Sequence, residues 1–178
     1  IAYRVASVGR SGWVEAVIGD FNRDGQGDIA ATSSVAGGID VFLGAPSGLF
    51  NRGRVETTVT PHLLVTGDFD GDFVTDIAFF EQIEGSINER LSVSFGRLQG
   101  LPIPRPMAEI PTPIGAVTVS ARGLDAISDL LVTSFVQSPD PELARLDVYP
   151  FGGSTDQRRA TMENDNGIRP RSPGATSP

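Results

Sequence analysis

An aspartate ladder occurs twice in this chain, 48 residues apart, and restricts the fold more than any other feature. The first copy is Asp20-Phe21-Asn22-Arg23-Asp24-Gly25-Gln26-Gly27-Asp28. The second is Asp68-Phe69-Asp70-Gly71-Asp72-Phe73-Val74-Thr75-Asp76. Both place oxygen-bearing side chains at loop positions 1, 3, 5 and 9, where a tight loop can close around one hard cation. Calcium (Ca2+) takes six to eight oxygens at roughly 2.3–2.6 Å, drawn from carboxylates, amide and backbone carbonyls and water. Gln26 and Val74, at position 7, would add backbone carbonyls. Gly25, Gly27 and Gly71 are expected to supply the positive φ that such a curl needs. Two ladders in register predict two calcium sites carried on a repeat.

An EF-hand is excluded. Its loop needs a bidentate Glu at position 12 and helices on both sides, whereas position 12 here is Ala31 or Phe79. The flanks Trp13-Val14-Glu15-Ala16-Val17-Ile18 and Ile29-Ala30-Ala31-Thr32 are short, apolar and rich in β-branched residues. Leu63-Leu64-Val65-Thr66 and Ile77-Ala78-Phe79-Phe80 frame the second loop in the same way. Such runs read as strands, so each loop joins two strands and the position-9 Asp becomes the last ligand.

The repeat extends beyond the loops. Val41-Phe42-Leu43-Gly44-Ala45-Pro46-Ser47-Gly48-Leu49 aligns with Val93-Ser94-Phe95-Gly96-Arg97-Leu98-Gln99-Gly100-Leu101. In both, Gly, three residues and Gly-Leu predict a strand-ending turn with glycines at the strained positions. A worn third copy runs from Val117 through Ala121, Gly123, Asp125 and Asp129 to Phe151-Gly152-Gly153. With Ala121 and Gly123 at positions 1 and 3, it is expected to hold no tight calcium.

Each copy predicts four strands. These fall at 13–19, 28–34, 39–44 and 49–59, then 62–67, 76–82, 90–96 and 103–110. In the third copy they fall at 114–120, 129–136 and 145–150, with a weak fourth near 156–162. Four strands every 40 to 50 residues is the period of a β-propeller blade. The predicted fold is all-β, with about three blades of four antiparallel strands forming a partial propeller. The units are an outer strand of a preceding or closing blade at 1–12, blades with calcium loops at 13–60 and 61–112, a degenerate blade at 113–153, and a flexible tail at 154–178. Three blades span too small an arc to close alone. The strand near Tyr3 to Val8 could be satisfied by an upstream blade, by a vacant outer position of the third blade, or by another chain.

The two loops and Phe42-Leu43-Gly44-Ala45-Pro46-Ser47-Gly48-Leu49 resemble the FG-GAP repeat family, found in the propellers of integrin α chains and related secreted proteins. The resemblance spans about residues 13–153. It implies calcium between the first two strands of a blade, on one face of the disc. By position the implied ligands are Asp20, Asn22, Asp24, Gln26 and Asp28, then Asp68, Asp70, Asp72, Val74 and Asp76. The third copy departs from the motif, so none are carried there. Members of the family bind proteins or sugars, and the fold alone does not choose between them.

Composition narrows the function classes. Seven of the 22 acidic residues lie in the two loops, so two calcium ions would bring the net charge of −8 to −4. The acidity therefore belongs mainly to the metal sites. All 14 basic residues are Arg and form no basic stripe, which argues against nucleic-acid binding. No run approaches the ~18 apolar residues of a membrane span. The chain opens with Ile1 and shows no signal peptide, as a processed piece would. Cysteine is absent, which fits a reducing compartment or a secreted protein stabilised by metal. Millimolar extracellular calcium favours a place outside the cell or in its envelope.

Catalysis has little support. The chain has one His, His62, and Gly9-Arg10-Ser11-Gly12 lacks the G-x-S-x-G frame of a nucleophile elbow. His62 reads as a half-buried strand residue, and Trp13, Tyr3 and Tyr149 as packing residues or a stacking platform. The expected role is a non-enzymatic, calcium-stabilised interaction module whose loops bind a protein or glycan. The alternatives are an accessory propeller domain of an envelope polysaccharide-active enzyme, or a structural subunit of a larger assembly.

Overall fold

The computed structural model describes residues 12–33, 37–48, 51–110, 114–121, 127–135, 144–149 and 160–163. These residues form twelve strands and no helix. The first four are β1 (Trp13–Gly19), β2 (Asp28–Ser33), β3 (Ile39–Leu43) and β4 (Asn51–Val55). Next come β5 (His62–Gly67), β6 (Asp76–Gln82), β7 (Glu89–Phe95) and β8 (Ile103–Ile110). The last four are β9 (Ile114–Ala121), β10 (Ser128–Phe135), β11 (Ala144–Tyr149) and β12 (Ala160–Glu163). Each consecutive set of four makes one antiparallel meander with neighbours in chain order. This is the predicted all-β architecture of three propeller-like blades. Among the described residues no helix is long and apolar enough to cross a membrane.

Burial explains why these runs become strands of this rank. β6 (DIAFFEQ) is buried at six successive positions, as a strand covered on both faces must be. The outer strand β8 (IPRPMAEI) is largely exposed. It carries Pro104 and Pro106, which a central strand could not accommodate. The first strands of successive blades lie side by side, β1 against β5 and β5 against β9. Thr66 Oγ1 donates to the Ile18 carbonyl at 3.4 Å. The Leu64 N–H donates to Glu15 Oε1 at 3.0 Å, beside an irregularity where Leu63 takes φ 52°.

Two hydrophobic clusters fill the spaces between blades. The first joins Ala30, Ile39, Val41 and Val55 of one sheet to Leu64, Ile77 and Phe79 of the next. The second joins Ala78, Phe80, Leu91, Val93 and Ile110 to Leu130 and Val132. Position 2 of each aspartate loop enters these clusters, Phe21 the first and Phe69 the second, and both rings are fully buried. The loops are therefore fastened into the joints between blades.

Three expectations need correction. The outer position of the third blade is filled by β12, which pairs with β11 between Arg145↔Glu163 and Val148↔Ala160. Residues 160–163 thus form a strand inside the span expected to be a flexible tail, and no vacancy is left there for Tyr3 to Val8. Gly27 does not take a positive φ. The left-handed positions are Arg23 and Gly25 in the first loop, Gly71 and Phe73 in the second. In the strand-ending turns only the second glycine is left-handed, Gly48 at φ 75° and Gly100 at φ 90°. The first, Gly44 or Gly96, is there for close approach. A Cβ on either would lie 2.5 Å from a loop carbonyl, that of Gly27 or Thr75. The segment around Tyr3, Asp125 and the Gly152-Gly153 end lies outside the described residues, as do the side chains of Trp13 and Tyr149.

Removing one of the plugging rings tests this arrangement. Phe69→Ala should cost about 3–5 kcal/mol, the usual loss for a buried Phe. Urea unfolding monitored by circular dichroism, with calcium present, would measure it.

Candidate metal centre

Both loops start where a first strand ends and finish on the first residue of a second strand, Asp28 of β2 or Asp76 of β6. Their backbones are shaped by their own carboxylates. In the first loop Asp20 accepts from the Asp24 and Gly25 N–H groups, both at 3.0 Å. Asp24 Oδ1 accepts from Gln26 N–H at 2.8 Å. In the second, Asp68 accepts from Gly71 N–H at 2.7 Å and Phe73 N–H at 3.0 Å. Asp72 Oδ1 accepts from Val74 N–H at 2.8 Å. At position 3, Asn22 Oδ1 accepts from Asp24 N–H at 3.1 Å and Asp70 Oδ1 from Asp72 N–H at 3.3 Å. Short side chains that bond to the backbone two residues on are what closes such turns.

Position 9 does something different. Asp28 and Asp76 are both 0 % exposed. One oxygen of each accepts from the position-2 Phe N–H at 2.7 Å. The other accepts from Gly44 or Gly96 N–H, at 2.8 Å in both loops. Each carboxylate thus ties the start of the loop to the end of the third strand. It is also the reason that strand ends in glycine, since any Cβ would hold the N–H away.

The second loop gathers three carboxylates. One oxygen from each of Asp68, Asp70 and Asp76 lies within 4.8 Å of the others. Two oxygens bound to one calcium at roughly 2.3–2.6 Å can be at most about 5 Å apart, so the trio could hold a metal ion. Asp72 stands outside it, at the loop tip, and Val74 is buried. In the first loop Asn22 replaces the position-3 acid, and its Nδ2 donates to Asp24 Oδ2 at 2.9 Å. Asp20, Asp24 and Asp28 are not gathered into such a group, although Asp20, Asn22, Asp24, Gln26 and Asp28 share the second loop's position-9 bonds and its left-handed positions 4 and 6.

Charge follows the same geometry. Burial pushes the Asp76 carboxyl up to about 7, against the opposing pull of the Gly96 and Phe69 N–H groups, and the Asp70 and Asp72 charges add to the rise. Asp28 is raised for the same leading reason, desolvation. Asp70 is raised by desolvation and then by the Asp72 charge. Among the described residues no cation forms an ion pair with the trio, so a dication would relieve both repulsion and desolvation.

Sequence reasoning missed the residue at position 8. Thr75 N–H donates to the Asp20 carbonyl at 3.1 Å, and Asp20 N–H donates to Thr75 Oγ1 at 3.3 Å. One blade further on, Ser128 N–H donates to the Asp68 carbonyl at 2.7 Å and Asp68 N–H to Ser128 Oγ at 3.1 Å. The signal was a hydroxyl at position 8 of the second and third copies. Its partner lies about 55 residues away, at position 1 of the preceding loop. His62 is a half-exposed strand residue joined to Glu89 at 3.0 Å. Asp129 is buried at the start of β10.

No family model, curated protein or solved structure matches this chain.

The raised Asp76 carboxyl sets a pH dependence for the metal-free protein. Between its ordinary value of 3.8 and about 7 the folded chain holds a proton that the unfolded chain has released. Its contribution to stability is therefore greatest at low pH and lost as pH rises through about 7. Melting in excess chelator should give a higher midpoint at pH 5.5 than at pH 8, and Asp76→Asn should flatten the difference.

Proposed function

We propose that this chain is a calcium-stabilised, non-enzymatic interaction module of the FG-GAP kind. It acts outside the cell or in its envelope and binds a protein or glycan partner. The observation that carries the reading is the carboxylate trio Asp68, Asp70 and Asp76, gathered within 4.8 Å. The backbone of that loop is followed closely by residues 20–28, which supports a second site. Each site would draw on the carboxylates at positions 1, 3, 5 and 9 (Asn22 at position 3 of the first) and the carbonyl of Gln26 or Val74. Calcium there would be structural, because the loops close the joints between blades through Phe21 and Phe69. The exposed tips of the loops at 20–28 and 68–76 would offer the partner surface. The only histidine is engaged with Glu89, which supports binding over catalysis.

Calcium should therefore stabilise the fold. A ligand a hundredfold above its Kd contributes about 2.7 kcal/mol per site, and a chain of this size gains about 2–4 °C in Tm per kcal/mol. Calorimetry should show two ions bound and a fall in Tm of that order with chelator. Asp24→Ala and Asp72→Ala should each abolish one site, and Asp125→Ala should leave both. An unchanged Tm with no calcium bound would overturn the reading.

The partner is sought with calcium present. Glycan arrays and pull-downs should return a ligand whose capture is lost with chelator. Blank screens would reject the binding module in favour of a structural subunit.

A further inference from the structure

We infer that the two metal loops are coupled: a cation in the second loop raises the affinity of the first, transmitted through Thr75. This rests on the calcium reading above and adds an order and a direction to it.

Thr75 stands between Val74, a carbonyl ligand, and Asp76, a carboxylate ligand. Filling the second loop therefore fixes both of its flanks. The same residue grips the position-1 ligand of the first loop on both sides, from Thr75 N–H to the Asp20 carbonyl and from Asp20 N–H to Thr75 Oγ1. The hold continues along the first loop. Arg97 N–H donates to the Phe21 carbonyl at 3.0 Å, immediately after Gly96, whose own N–H binds Asp76. At the tips, Arg23 Nη1 donates to the Asp72 carbonyl at 3.3 Å, and its guanidinium lies 5.7 Å from the Phe73 ring centre. Arg23 and Phe73 are the two non-glycine residues of the loops with left-handed backbones. Every strained side chain in one loop thus faces the other.

A cation changes this unit in a definite way. Without one, three carboxylates within 4.8 Å repel and spread the segment that carries Thr75. With one, they are drawn together and the Asp20 backbone is held in its ligating position. The arrangement also has a direction. The second loop is braced in turn by Ser128 of the third copy, where Ala121 and Gly123 replace the ligands of positions 1 and 3, whereas the first loop is braced by Thr75, which the second loop's own ligands flank. The second loop is the better organised and fills first.

Coupling is reciprocal in free energy, and typical coupling changes affinity about 5- to 150-fold. The test uses the full chain, calcium as the probe, calorimetry for total binding and amide NMR for each site. Gly25 N–H bonds to Asp20 and Gly71 N–H to Asp68, so their shifts report the two loops separately. Asp72→Ala should weaken first-loop binding about fivefold or more while touching none of its ligands. Asp24→Ala should weaken the second loop by the same factor. Thr75→Val should weaken the first loop, and Thr75→Ser, which keeps the hydroxyl, should not. First-loop affinity within about twofold of the unmodified chain in Asp72→Ala would overturn the coupling and leave two independent sites. If Asp72→Ala does not fold, the Val and Ser variants decide, and equal first-loop affinities in the two overturn it. An unmodified chain that binds no calcium would overturn the metal reading itself.

Discussion

A carboxylate buried at the foot of each loop holds the blades in their present form. Asp28 and Asp76 each spend one oxygen on the Phe that opens the loop and the other on the glycine that ends the third strand. One side chain thereby fixes the loop, the inter-blade plug and the sheet edge. An ionised carboxylate in such a place is costly unless hydrogen bonds or a cation compensate it. Two N–H groups compensate it in part, and the raised Asp76 carboxyl shows what remains. The fold thus carries a charge that its own hydrogen bonds only partly stabilise, and a dication held in the loop would supply the balance.

Strain in the loops follows from the same closure. Positions 4 and 6 must both be left-handed to bring position 1 near position 9. Each loop gives glycine to one of them and a side chain to the other, in opposite order. A left-handed L-residue costs roughly 1–2 kcal/mol. The two side chains that bear this cost, Arg23 and Phe73, meet across the joint. Contact between neighbouring loops offsets part of the strain within each, so the loops are better regarded as one layer than as separate sites.

Much of this was legible in the sequence because it is local. The short apolar, β-branched runs and their Asp/Gly boundaries brought ten of the twelve strands within a residue of their ends, β4 being shorter than the expected 49–59, and Asp28 and Asp76 head β2 and β6 as the ladder required. What stayed hidden depends on contacts between blades. Nothing near Thr75 in the chain indicates that its hydroxyl meets Asp20, and Phe21 and Phe69 look like loop residues until the next blade covers them. Gly44 and Gly96 were recognised, but for the wrong reason. A glycine that admits a carbonyl and one that takes a positive φ are the same letter in a sequence. The last strand, expected weakly near 156–162, lies at 160–163, its poor pattern leaving the pairing with β11 to place it.

The third copy separates two jobs that the first two loops combine. Ala121 and Gly123 remove the ligands at positions 1 and 3, yet Ser128 and Asp129 stand at positions 8 and 9. Ser128 makes the same pair of bonds to Asp68 that Thr75 makes to Asp20. Asp129 is buried as Asp28 and Asp76 are. The positions that would chelate can therefore be lost while those that join blades are kept. Ile127, next to Ser128, reaches within 2.9 Å of where a Cβ on Gly71 would lie. The degenerate loop thus presses on the tip of the second loop as well as on its base. A blade whose loop has lost the position-1 and position-3 oxygens can in this way serve as the abutment on which its neighbour's carboxylate loop is shaped.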